Sequence, residues 1–190
     1  MTKHRRTRVL LLVAAALVLS ACSGVGTRGS TGGYVSADGQ ITTVNPGDRK
    51  KAPVLEGKDL DGKDFSTADH AGKVMVVNVW GSWGPPCRKE APVLKAVSDE
   101  RKDALFVGLL VRDKPAPAKA FNRSKGITYP SIVDDGGKLT AKFNASLSSL
   151  AIPTTWVIDS KGRVAARIVT DELTERTLSG LIDYAEKSRP

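Results

Sequence analysis

Cysteine and histidine are both scarce in this chain, with two of each in 190 residues. The cysteines are Cys22 and Cys87. If Cys22 is taken up at the end of the leader described below, Cys87 has no partner for an intramolecular disulfide. The histidines are His4 and His70, and only His70 falls in the folded part. One histidine without a second nearby cysteine falls short of the ligand number and spacing of a metal site. His70, in Asp69-His70-Ala71-Gly72, therefore reads as a polar loop residue, and neither metal nor cofactor is expected. No Lys/Arg block is interleaved with aromatics, which argues against a nucleic-acid partner. There is no internal repeat. The longest apolar run, Val9–Leu19, would reach about 16 Å as a helix, too short for a bilayer core of about 30 Å.

That run is nonetheless informative. Lys3, Arg5, Arg6 and Arg8 precede it, and a basic segment followed by a short apolar one is the pattern of a secretory signal peptide. Leu19-Ser20-Ala21-Cys22 then resembles the lipobox of bacterial lipoproteins, in which the cysteine is acylated and the chain is cut before it. An ordinary secretory peptide with an incidental cysteine is the other reading. On the first reading, residues 1–21 are a lipoprotein signal and Cys22 is the lipid attachment. The formal charge of +9 includes the four basic residues of the leader. Removing them leaves a scattered surplus of about five, which suits mild attraction to anionic lipid.

Residues 22–51, rich in Gly, Ser, Thr and Asp, read as a flexible tether with a reach of about 30 Å. Residues 34–44 place short β-prone runs around Asp38-Gly39, a hairpin signal. This hairpin either docks on the domain or stays solvated. The domain is expected over 52–190, and its composition is that of a soluble globular protein, 41% hydrophobic and 26% charged.

Within it, Val74–Val79 is a short apolar run, rich in β-branched residues and without the polar alternation of a one-sided strand, which reads as a strand buried on both faces. Pro85 and Pro86 follow after a turn, suited to the first turn of a helix where a missing N–H costs nothing. Helical spacing continues through Ala91, Leu94 and Val97. Ala104–Val111 reads as a second buried strand and Pro115–Lys125 as a second helix. Thr154–Asp159 and Val164–Val169 form a hairpin, and Thr174 caps a last helix with Leu178, Leu181, Ile182 and Ala185 inward. An Asp61-Gly62 turn suggests a small hairpin before the main strand. Strands alternating with helices, then a closing hairpin and helix, indicate an α/β fold.

The stretch Trp83-Gly84-Pro85-Pro86-Cys87, flanked by Asn78-Val79-Trp80 and by Arg88-Lys89-Glu90-Ala91-Pro92, resembles the active-site corner of the TlpA/ResA-like thioredoxin-fold lipoproteins. Ile152-Pro153-Thr154-Thr155 is similar to their second landmark. The resemblance implies a thioredoxin-like fold: a central mixed sheet flanked by helices, with an N-terminal hairpin extension. It also implies thiol-disulfide exchange on exported proteins, with roles such as cytochrome c biogenesis, at the extracytoplasmic face of the bacterial cell membrane. Partners on that reading are exported proteins or peptides with reactive thiols, the membrane through Cys22, and a membrane electron donor if the site is redox-active.

The family's first cysteine, its nucleophile, falls on Gly84. A dithiol site stores two electrons as one S–S bond and needs two sulfurs in reach. Only the second, Cys87, remains, so the fold is expected to persist while the dithiol cycle does not. The resemblance implies a cis Pro153 whose backbone neighbours pair with an extended substrate; a trans proline opening an edge strand is the default for an X–Pro bond. It gives Glu90 a part in active-site proton traffic, where the residues alone read equally well as a solvated helix glutamate. Trp80 and Trp83 read as packing and rim residues. Two functions follow: an oxidoreductase reduced to the single thiol Cys87, or a non-redox peptide-binding lipoprotein using the Pro153 loop and the open turn at Trp83, Gly84, Pro85 and Pro86.

Overall fold

The computed structural model describes residues 34–36, 38, 40–170 and 172–187. The leader, Cys22 and most of the expected tether lie outside them. Six strands form the main sheet, in the order β1-β8-β7-β4-β5-β6. They are β1 (Ile41–Thr43), β4 (Val74–Trp80), β5 (Ala104–Leu110), β6 (Ser131–Val133), β7 (Thr154–Ile158) and β8 (Val164–Ile168). β4, β5 and β6 are parallel; β7, β8 and β1 add antiparallel pairings. A separate small hairpin joins β2 (Glu56–Lys58) to β3 (Asp64–Ser66) about the Asp61-Gly62 turn, where Gly62 takes φ +80°. The helices are α1 (Pro85–Glu100), α2 (Pro115–Lys125), the short α3 (Lys138–Ala141) and α4 (Glu175–Glu186).

The apolar run of β4, interrupted only by Asn78, is explained by cover on both faces. Val74 and Val76 meet Leu94 and Val97 of α1 and Leu178 and Ile182 of α4. Met75, Val77 and Val79 point the other way, into a cluster with Leu55, Phe143 and Trp156. Trp156 stacks on Phe143 with ring centroids 4.0 Å apart, and its indole N–H donates to the Leu147 carbonyl at 2.8 Å. Each such fully buried side chain contributes about 1.5–3 kcal/mol. The last helix begins at the expected cap: Thr174 accepts from the Thr177 N–H.

The start of the domain differs from expectation. A boundary at Ala52 is too late, because β1 pairs with β8 from Ile41 opposite Ile168 to Thr43 opposite Ala166. Val35 bridges Thr42 within the expected hairpin, and the pairing of β1 with β8 docks its described residues on the domain rather than leaving them solvated. Beyond it, the buried Arg49 reaches Asp159 at 3.2 Å and the carbonyls of Val44 and Tyr184. Short and polar as it is, this segment is ordered by partners far along the chain.

Candidate active-site corner

β4 ends at Trp80 and the chain turns through Gly81, Ser82 and Trp83 into α1, whose N-cap is Gly84 (φ −77°, ψ 119°) with Pro85 at its first position. The Gly84 N–H donates to the Gly81 carbonyl at 3.2 Å. Two residues beyond the turn itself hold it. The Asp113 carboxylate accepts from the Ser82 N–H at 2.7 Å, and the Arg88 guanidinium donates to the Ser82 carbonyl at 3.2 Å while lying over the Phe121 ring. Trp80 is buried against Phe121 and donates to Ser131 Oγ, whereas Trp83 is 52% exposed on the rim.

Cys87 lies one turn into α1, 3% exposed among Trp80, Ala91, Leu110 and Phe121. A helix N-terminus favours thiolate, and the contact with the Gly81 backbone acts the same way. Burial outweighs both, and with a smaller push from Glu90 it drives the thiol up to about 11. Cys87 is therefore a neutral thiol at neutral pH. A β-carbon built on Gly84 would stand 3.2 Å from Cys87 Sγ. The side chain missing at 84 is thus the one that would lie directly against the sulfur.

Glu90 is not the solvated helix residue that its neighbours Arg88 and Lys89 allow. It is 3% exposed, and its Oε1 accepts from Asn78 Nδ2 at 2.7 Å; the same amide donates to Thr155 Oγ1 at 3.1 Å. Burial raises its pKa to about 8, the Asn78 bond offsetting part of the rise. The carboxyl accordingly holds a proton at neutral pH, beneath Cys87 on the same helix.

The Ile152–Pro153 bond is cis. Ile152 and Pro153 share with Pro86 the lining of an open groove of about 230 Å³, to which Gln40, Val169 and Thr170 also contribute. The structure therefore brings the half-buried Pro86 and the buried Pro153 together at one groove, with Cys87 and Glu90 buried on the same helix as Pro86. His70 stacks on Phe65 at 5.4 Å, and among the described residues no three His, Cys, Asp or Glu side chains cluster as metal ligands. Sequence reasoning missed Asn78, Asp113 and Gln40. Asn78 carried a signal, being the lone polar residue in a doubly buried strand; Asp113 and Gln40 act through contacts distant in sequence.

Residues 38–182 match the model of the Redoxin family. The chain belongs to the Redoxin family. This Redoxin chain is 29% identical over 143 residues to the thiol-disulfide oxidoreductase ResA of Bacillus thuringiensis, covering 74% of the chain and 78% of the relative. It superposes on a DsbF homologue from Corynebacterium diphtheriae with a TM-score of 0.72 and 32% identity, over 79% of this chain and 96% of that one. A secreted thiol-disulfide isomerase from Corynebacterium glutamicum matches with a TM-score of 0.67 and 29% identity, over 80% and 99%. Nearly the whole of each solved chain is matched, so in those two proteins a domain of about this size stands by itself. The thioredoxin-like fold expected from the sequence is the one observed.

Proposed function

We propose that this chain is an extracytoplasmic, lipid-tethered member of the thiol-disulfide oxidoreductase branch whose dithiol cycle is incomplete. Gly84 stands where the branch carries its first cysteine, and Cys87 is the resolving thiol left behind. The observation that carries this reading is the contact geometry at Gly84: the absent side chain would lie against Cys87 Sγ. A lone thiol cannot store two electrons within one chain, and Cys87 is both buried and held protonated. The leader pattern, the lipobox-like Leu19–Cys22 and a relative described as secreted support the location.

The groove between Pro86 and Pro153 favours a second reading, capture of extended segments of exported proteins without redox chemistry. Its lining is largely apolar and does not include Cys87. Insulin reduction by the chain from Tyr34 onward separates the two. The parent is expected to show no turnover with a chemical reductant as electron source, and Gly84→Cys is expected to gain it. Parent turnover equal to that of Gly84→Cys would remove the incomplete-cycle reading. Capture of exported clients that persists in Cys87→Ser supports the binding reading, and capture lost in that variant argues for a thiol-linked one.

A further inference from the structure

The end of the sheet remote from the catalytic corner carries a second cavity, of about 280 Å³. β4 leads from Met75 beside this cavity to Trp80 beside the catalytic turn, about 17 Å of extended chain. The cavity is lined by the buried Leu55, Met75 and Ile158, with the exposed Ala68 and Ala71 at its edge. Lys51 and Lys161 also line it, both exposed. Lys51 Nζ donates to the Lys161 carbonyl at 3.0 Å, which holds that ammonium at the rim and, among the described residues, uses one of its three donors. Neither lysine has a carboxylate partner among the described residues. Asp159, next in sequence to this rim, is buried and committed to Arg49 and Arg163; Asp69 lies on the neighbouring turn and is exposed. The exposed Lys50 and Lys73 add to the positive charge of this end.

We propose that this cavity binds a single-chain anionic amphiphile, its acyl tail against Leu55, Met75 and Ile158 and its carboxylate or phosphate head between Lys51 and Lys161. An uncharged chain would leave the two ammonium groups without an anion, and a small ion alone would leave the apolar lining wet. The volume sits at the lower edge of ligand pockets, roughly 300–1,000 Å³, and so admits a short acyl segment rather than a bulky ring system. The ligand comes either free from solution or from a membrane surface. The inference uses neither Cys87 nor Gly84 and is independent of the thiol reading.

The test is amide NMR on the chain from Tyr34 onward, titrated with hexanoate, octanoate and decanoate below micelle formation. Saturable shifts are expected at Ala68, Ala71, Gly72 and Gly162 and not at Gly84 or Cys87. Affinity should rise roughly fourfold per added methylene until the cavity is full. Decanol should bind at least about tenfold more weakly, and Lys51→Glu with Lys161→Glu should lose a similar factor for decanoate. Ala71→Phe blocks the mouth from an exposed position with ordinary backbone angles (φ −54°, ψ 143°), and its unchanged distant resonances report an intact fold. A second arm uses phosphatidylglycerol vesicles against phosphatidylcholine vesicles. Vesicle binding that Ala71→Phe abolishes assigns the ligand to the membrane. Decanoate binding without vesicle binding assigns it to solution, and vesicle binding that survives Ala71→Phe is surface charge alone and overturns the membrane source. No saturable decanoate shifts in the parent, or equal affinity for decanol, overturns the proposal.

Discussion

A β-carbon at Gly84 would lie 3.7 Å from the β-carbon of Cys87, inside the separation of about 3.5–4.5 Å that disulfides require. The backbone thus places a side chain at position 84 at the β-carbon separation of a disulfide with Cys87. Its φ of −77° is open to any residue. Gly84→Cys is expected to fold and to close an intramolecular disulfide on mild oxidation, read by mass spectrometry as the loss of two hydrogen atoms without dimer formation. A folded variant that stays a dithiol under the same oxidant would show that the turn is not arranged for the bond.

Cys87 itself should be unreactive. With its thiol pushed up to about 11 by burial, the thiolate fraction at neutral pH is roughly a hundredfold below that of a free cysteine. Iodoacetamide labelling of the native chain is expected to be at least that much slower than labelling in urea. Its rate should keep rising to pH 10 and beyond. An inflection near pH 7 would mean an exposed, activated sulfur, and the single-thiol oxidoreductase would then be the better description.

Glu90 makes stability fall as pH rises. Its carboxyl has a pKa of about 8 in the fold against 4.5 as the ordinary value. Between those values the folded chain binds more protons than the unfolded one. Raising the pH through that window therefore costs stability, by about 3 kcal/mol at pH 7 relative to pH 4. Urea unfolding of the chain from Tyr34 onward should show this decline, and Glu90→Gln, which can still accept from Asn78, should flatten it. A parent profile that does not fall from pH 5 to 7.5 would place the carboxylate in water.

What the sequence disclosed was whatever local pattern encodes. The run of β4 needed cover on both faces and has it. The helix starts at Pro85 and Pro115 were marked by proline, and Thr174 caps α4 by its own side chain. The site's outline was legible because Trp83–Cys87 is contiguous. Glu90 stayed ambiguous because its charged neighbours Arg88 and Lys89 suggest solvent. Its spacing from Cys87, Ala91, Leu94 and Val97 nonetheless puts it on the buried face of α1. β1 was missed as part of the domain because Ile41-Thr42-Thr43 has little burial signal of its own; it is held by β8, more than a hundred residues later. Asp113 gave no local sign of gripping the Ser82 N–H.

The N-terminal segment should therefore behave as core rather than linker. Arg49 is fully enclosed, joined to the equally enclosed Asp159 and to the Val44 and Tyr184 carbonyls, and it lies over the Tyr184 ring at 4.8 Å. Removing it strips a buried carboxylate of one of its two guanidinium partners, Arg163 being the other, and takes away the bonds Arg49 gives to the Val44 and Tyr184 carbonyls, of which the first keeps the Tyr184 hydroxyl as a donor. Arg49→Ala should lower the unfolding free energy by about 3 kcal/mol. Lys58→Ala, which breaks the solvent-exposed pair with Asp64, should change it by less than about 0.5 kcal/mol. Urea denaturation of both variants beside the parent checks the contrast. Equal, small effects would return residues 44–51 to the tether, and a chain begun at Ala52 would then be as stable as one begun at Tyr34.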